Sequence, residues 1–171
     1  AFMSLNMIFM MLPRATVSIG RIREVLEAKP KIHDGPCAGG QPGRTGEVEF
    51  RNVSFRYPGA EEPVLQDVSF RAERGQTVAF IGATGSGKST LLNLIPRLYD
   101  AASGEVLVDG RDVREYQQHA LHEKLGYAPQ KAVLFTGTVA SNVGYSARCT
   151  SEEAVERAVQ IAQAEEFVCQ M

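Results

Sequence analysis

Gly82-Ala83-Thr84-Gly85-Ser86-Gly87-Lys88-Ser89 is the stretch that decides how this chain is read. It meets G-x-x-x-x-G-K-[ST] at every position, and the pattern has a mechanism. Small residues let successive backbone N–H groups turn inward around phosphate oxygens. Lys88 reaches the β- and γ-phosphates, and the Ser89 hydroxyl faces Mg2+. A helix opening at this point aims its positive end at the same anion. The flanks agree. Residues 77–82 (TVAFIG) are short and almost wholly apolar, which predicts a strand buried on both faces, as in a parallel sheet. Thr90-Leu91-Leu92-Asn93-Leu94-Ile95 predicts a helix, and Pro96 ends or kinks it.

Upstream, residues 47–55 (EVEFRNVSF) alternate imperfectly, with Val48, Phe50, Val53 and Phe55 apolar. The slip between Phe50 and Val53 predicts a bulged strand. Residues 64–71 (VLQDVSFR) predict a second strand, followed by a turn at Glu73-Arg74-Gly75. Downstream, residues 104–109 (GEVLVD) predict a strand that turns at Asp109-Gly110. An aspartate at the end of an apolar strand can hold Mg2+ indirectly, but a glycine turn follows Asp109 and no second carboxylate does, so Asp109 is set aside. Residues 126–130 (GYAPQ) end another short strand in a polar loop. Thr150 to Glu153 fits a capping box that opens a helix with Ala154, Val155, Ala158, Val159, Ile161 and Ala162 on its apolar face.

The chain opens on an apolar run, residues 1–12 (AFMSLNMIFMML), too short by itself to span a bilayer. It lacks the basic start and small-residue cleavage site of a signal peptide. Arg14, Arg21, Arg23, Lys29 and Lys31 follow, as on the cytoplasmic side of a membrane helix. On these residues alone, the tail of a membrane helix and an ordinary core helix both stand. Val17, Ile19, Ile22, Val25 and Leu26 continue a helical face until Pro30. Residues 30–46 are rich in glycine and proline and read as a linker, with the compact domain beginning near Glu47.

Composition narrows the class. The 171 residues, 44% hydrophobic and 22% charged, suit one ordinary globular domain. A net charge of -2, from 18 basic and 20 acidic residues, is no footprint for nucleic acid. Cys37, Cys149 and Cys169 are far apart without C-x-x-C spacing, so free thiols in a reducing compartment are expected.

From the phosphate loop outward the sequence resembles the nucleotide-binding domain of ABC transporters, of the exporter type with membrane and ATPase parts fused in one chain. Residues 82–90 (GATGSGKST) are similar to its Walker A motif. Phe55-Arg56-Tyr57-Pro58 stands where the family places an adenine-stacking aromatic. Ile95-Pro96-Arg97-Leu98-Tyr99-Asp100, Ser103-Gly104-Glu105 and Val108-Asp109-Gly110 match the stretch after the first helix. Gly126-Tyr127-Ala128-Pro129-Gln130 looks like the Q-loop, and Leu134-Phe135-Thr136-Gly137-Thr138 with Asn142 matches the run that follows it. Pro13, Ser18, Arg21 and Ile22 look like the end of the last membrane helix and its connection.

The resemblance implies an α/β P-loop NTPase fold with an antiparallel β subdomain, preceded by a helix. It divides the chain into a membrane-helix end and connecting helix (1–29), a linker (30–46) and the N-terminal part of a nucleotide-binding domain (47–171). It implies ATP and Mg2+ as cofactors. Tyr57, Gly82, Ala83, Thr84, Gly85, Ser86, Gly87, Lys88, Ser89 and Thr90 would bind the nucleotide. Lys88 and Gln130 would serve catalysis, and Ser89 and Gln130 the metal. Expected partners are a second nucleotide-binding domain and the transporter's membrane domain, at the cytoplasmic face of the plasma membrane. The expected activity is ATP hydrolysis coupled to export. ATP binding without turnover is the alternative, while a soluble small-molecule kinase is opposed by the apolar start and the Q-loop run. The family's signature motif, Walker B, catalytic Glu and switch His are expected beyond Met171, leaving this chain inactive alone. Cys37-Ala38-Gly39-Gly40-Gln41 mimics the signature but lies before the phosphate loop between prolines, so it reads as a decoy. His119 and His122 read as a solvated helix face, and Asn142 and Gly137 as structural. If the Tyr57 ring stacks on adenine, Tyr57→Ala weakens ATP by roughly 1–2 kcal/mol and Tyr57→Phe changes little.

Overall fold

The computed structural model describes residues 2–145 and 151–170. Cys149 and the expected capping residue Thr150 lie outside them. The chain divides into two compact units, Ala1–Gly126 and Tyr127–Met171.

The first unit is built on one antiparallel sheet in the order β2-β1-β3-β4. Its strands are β1 (Val48–Phe55), β2 (Leu65–Ala72), β3 (Ser103–Val108) and β4 (Arg111–Asp112). The bulge expected between Phe50 and Val53 is present: Phe50 faces Phe70, and Val53 faces Val68. Three steps on β1 thus oppose two on β2. A second bulge on β2 cancels the offset, because Val53 to Phe55 opposes Val68 to Leu65. The two displaced residues, Asn52 and Asp67, both have φ 49° and are joined by Asn52 Nδ2 donating to Asp67 Oδ1 at 2.7 Å. The slip returns Phe50, Val53 and Phe55 to the same buried face. A strict period of two would have turned Val53 outward.

Helix α2 (Lys88–Leu94) lays Leu91 and Leu94 on that face. It stops before Pro96, whose ring and missing N–H cannot continue a helix. Val106, Val108, Val113, Tyr116 and Leu121 complete the core. β3 turns into β4 through Asp109 (φ 50°) and Gly110 (φ 73°), the paired positive φ of a two-residue hairpin turn whose twist matches the strands. A 3-10 turn (Val113–Glu115) and helix α3 (Gln118–His122) follow.

Two expected strands are absent. Neither residues 77–82 nor residues 126–130 form a strand, and neither segment joins the sheet. Ile81 is 97% exposed and Val78 43%. An apolar run records what a segment can bury, whereas a strand also needs a neighbour for its backbone. Among the described residues no parallel partner reaches residues 77–82, and only Phe80 finds the sheet, edge-on to Phe70 at 5.0 Å.

Segment 30–46 has few side chains to bury, so its backbone holds it. Gly35 N–H donates to Tyr116 O (2.8 Å), Cys37 N–H to Glu115 O (2.9 Å) and Gln41 N–H to Asp109 O (2.8 Å). The buried Arg97 guanidinium donates to His33 O at 2.9 Å as well as to Asp100. The Tyr116 hydroxyl, fully enclosed, donates to Val108 O.

Helix α1 (Phe2–Glu27) runs through Pro13 and ends before Pro30. The Thr16 hydroxyl donates to Leu12 O and Pro13 O in the turn where the proline interrupts the ladder. Val17, Ile19, Ile22, Val25 and Leu26 are all exposed, Leu26 at 79%. Among the described residues no helix is long and apolar enough to cross a membrane. An uncovered apolar stripe of this kind promotes association. Deleting residues 1–29 is therefore expected to raise the monomeric fraction in size-exclusion chromatography without detergent. A monodisperse full chain under the same conditions would contradict this.

The second unit is helical, with α4 (Val139–Val143), α5 (Glu152–Ile161) and α6 (Glu165–Cys169). Thr138 and Ser141 form a reciprocal capping box at the start of α4. α5 is capped by Ser151, whose hydroxyl accepts from Ala154 N–H, so the helix begins one residue later than the capping box at Thr150 implied. Of its expected apolar face, Val159 is buried and Val155 half-buried, while Ile161 points to solvent. Asn142 is structural, as expected: its amide accepts from Phe135 N–H (2.7 Å) and donates to Phe135 O (2.9 Å), closing the loop before α4.

Candidate nucleotide site

The phosphate loop runs from Gly82 to the start of α2 at Lys88. Its shape follows from its glycines. Gly85 and Gly87 sit at φ 84° and 86°, conformations that L side chains rarely adopt. At Gly87 a Cβ would also lie 2.9 Å from Leu65 Cδ2 and 3.3 Å from Val64 O. The start of α2 is therefore pressed against the beginning of β2. Ser86 N–H donates to Ala83 O, tightening the turn.

Lys88 spans this loop from within. Its Nζ donates to Gly82 O (2.8 Å), Ala83 O (2.7 Å) and Ser86 Oγ (3.1 Å). All three ammonium donors are thus engaged by the loop, and the positive charge is held over its mouth. Thr84, Gly85, Ser86 and Ser89 are exposed around it. The first N–H groups of any α-helix have no carbonyl one turn back, so those of Lys88 and Ser89 are open to an acceptor from outside. The loop, the cation and the hydroxyl of Ser89 together fit an anion with closely spaced oxygens.

Thr90 faces the other way. It is buried, and its Oγ1 lies 3.0 Å from the Tyr57 hydroxyl. Tyr57 itself is half-buried just past β1. It meets Phe55 edge-on at 4.9 Å and Tyr99 edge-on at 5.3 Å. Tyr57 and the phosphate loop are thereby brought together across 33 residues of sequence. Reading the sequence did not assign Tyr99 a role, and nothing local distinguishes it. Gln130 is exposed and belongs to the second unit.

Asp109, set aside above as a metal-site residue, is fully committed elsewhere. Oδ1 accepts from Gly46 N–H (2.7 Å) and Glu47 N–H (3.4 Å), and Oδ2 from Lys124 Nζ (2.8 Å). Burial pushes its carboxyl up, but the Lys124 bond, the Gly46 N–H and the lysine's charge outweigh burial and hold the pKa below the ordinary value. A depressed carboxylate contributes stability above its unfolded pKa, near 4, and that stability is lost as pH falls through the folded value. Asp109→Asn is expected to cost about 1–3 kcal/mol in urea denaturation at pH 7. The gap between the two proteins should shrink below about pH 4, and a gap constant with pH would contradict the ion pair's contribution.

The Cys37–Gln41 stretch opens no helix. Cys37 instead bridges to Tyr116, and its sulfur accepts from Arg111 at 2.5 Å. Of the two helical histidines, His119 lies 3.4 Å from Glu123 on the exposed face, but His122 is not simply solvated: its Nε2 meets Pro96 O at 2.8 Å.

Residues 65–170 match the family model described as ABC transporter. The chain is 44% identical to an uncharacterized ABC transporter ATP-binding protein of Mycobacterium tuberculosis, covering 98% of this chain and 30% of that protein. It is 44% identical to the ATP-dependent lipid A-core flippase of Escherichia coli over 74% of this chain and 22% of the flippase. Among solved structures, a bacterial ABC exporter with ATP bound superposes with a TM-score of 0.81 at 29% identity, covering 98% of this chain and 29% of that one. The chain thus spans about three-tenths of the length of the curated relatives it matches. With its phosphate loop, its antiparallel sheet and these matches, the chain belongs to the ABC transporter family and carries part of the ATP-binding region of an exporter-type member.

Proposed function

We propose that this chain binds ATP together with Mg2+ and, within a longer transporter, takes part in ATP hydrolysis coupled to export. The observation that carries the reading is the Lys88 ammonium held at the centre of the loop formed by residues 82–89. A phosphate entering there exchanges contacts of the Lys88 ammonium to neutral oxygens for contacts to anionic ones, in which both partners are charged. The Ser89 hydroxyl would hold Mg2+ beside phosphate oxygens and waters, a mode that needs no cage of protein carboxylates. When bound, Mg2+ neutralises charge developing on the transferred phosphoryl group. Lys88 adds a second positive charge on the protein side, Tyr57 offers an aromatic face to the base, and Gln130 would orient water. A second nucleotide-binding domain and a membrane domain are the partners this reading calls for, with the site at the cytoplasmic face of the plasma membrane. The kinship with exporters supports both.

The test is calorimetric titration of ATP into the purified chain, with and without Mg2+. Saturable binding strengthened by the metal is expected, and no binding at millimolar ATP would sink the proposal. Phosphate release by this chain alone is expected to stay near background. Phosphoryl transfer relies on several positioned groups at once, and the strand-end carboxylate of Asp109 is already committed to Gly46, Glu47 and Lys124. Turnover that depends on Lys88 would show a complete site within these residues.

A further inference from the structure

A ring that only stacks on a base has no need of a hydroxyl, yet the Tyr57 hydroxyl has a partner. It bonds at 3.0 Å to Thr90 Oγ1, in the first turn of α2 and two residues past Lys88. The ring's other contacts are edge-on, to Phe55 and Tyr99. Such contacts locate the body of the ring. The backbone that carries it is lightly held: residues 58–63 are exposed, and the hydrogen bonds nearest Tyr57 are Ala60 N–H to Tyr57 O and Val64 N–H to Phe55 O. The hydroxyl bond therefore anchors the far end of the ring to the helix that also carries Lys88. Thr90 is buried and Tyr57 half-buried, so this bond is partly shielded from competing water and holds better than an exposed one.

We propose that the Tyr57–Thr90 bond is a positioning contact. It sets the distance and tilt of the aromatic platform relative to the phosphate loop, so that base and phosphate ends of one adenine nucleotide are met together. The contact makes the site selective for a nucleotide over bare polyphosphate. The inference rests on the ATP-binding reading above. It reverses the expectation from stacking alone, on which Tyr57→Phe is silent.

The experiment uses the full chain and two probes, ATP and inorganic tripolyphosphate, titrated into five proteins: wild type, Tyr57→Phe, Thr90→Val, the double variant and Thr90→Ser. The readout is the ratio of ATP affinity to tripolyphosphate affinity. Tyr57→Phe is expected to lower that ratio about three- to tenfold, the worth of one hydrogen bond. The double variant should lower it no further than Thr90→Val, since both remove the same bond. Thr90→Ser keeps the hydroxyl and should keep the ratio. Equal losses for both probes would mean the bond merely supports the fold, and would overturn the proposal. So would an unchanged ratio, additive losses, or tighter ATP binding by Tyr57→Phe, which would make the bond an obstacle to nucleotide. If wild type binds no ATP, the nucleotide reading fails and this one with it; if it binds ATP but the ratio ignores the hydroxyl, only this one fails.

Discussion

Lys88→Ala in the full-length transporter is expected to lower ATP hydrolysis about a hundredfold or more. The ammonium is the one cation placed by the loop itself, over the mouth where phosphate oxygens would gather. Phosphoryl transfer leaves little covalent work to the protein, so charge stabilisation and positioning supply most of the rate. The fold should survive the change. Among the described residues the Lys88 ammonium bonds to Gly82, Ala83 and Ser86 of its own loop, and the core side of α2 is formed by Leu91 and Leu94. Phosphate release and thermal unfolding measured on the same preparation separate the two effects. Wild-type turnover with an intact melting transition would remove the loop from catalysis. Lost turnover together with a collapsed melting temperature would show a structural part for Lys88 that the bonds do not explain.

Phe50→Ala is expected to destabilise the chain by about 3–5 kcal/mol, the usual cost of emptying a buried phenylalanine site. Phe50 is on β1, one of the two inner strands, is 1% exposed, and its ring stacks on Phe70 at 4.6 Å. It faces Phe70 on one side and Val106 on the other, so its loss opens a gap against both neighbouring strands. A loss of this size is a large share of the about 5–15 kcal/mol that holds a domain together. Phe50→Leu fills most of the volume and should cost no more than about 1.5 kcal/mol. Urea denaturation of the three proteins is the check. A loss below about 1 kcal/mol for the alanine variant would mean that the sheet repacks, contrary to the enclosed site described here.

The features legible in the sequence are those in which a residue's own chemistry settles its conformation within a few positions. The phosphate loop is one, because glycines at 85 and 87 permit the positive φ that the loop needs. The Asp109-Gly110 turn is another, and so is the end of α2 before Pro96. The bulge after Phe50 could be read from the apolar spacing of β1, but its compensating partner at Asp67 could not, since nothing in the spacing of β2 demands it.

Other features depended on which segments meet. Residues 77–82 have the composition of a buried strand and no paired strand among the described residues, because pairing is a property of two segments and composition belongs to one. Asp109 reads locally as a strand-end carboxylate, yet chain reversal carries Gly46 and Lys124 to it, and their bonds consume its oxygens. Segment 30–46 looks slack because it has few apolar side chains, but it is held through backbone groups that every sequence carries. Tyr57 and Thr90 were each readable as nucleotide-site residues from motif position. That their hydroxyls meet was decided only by the packing of α2 on the sheet beside the end of β1, since a 3.0 Å contact depends on the placement of both elements and not on the identity of either residue.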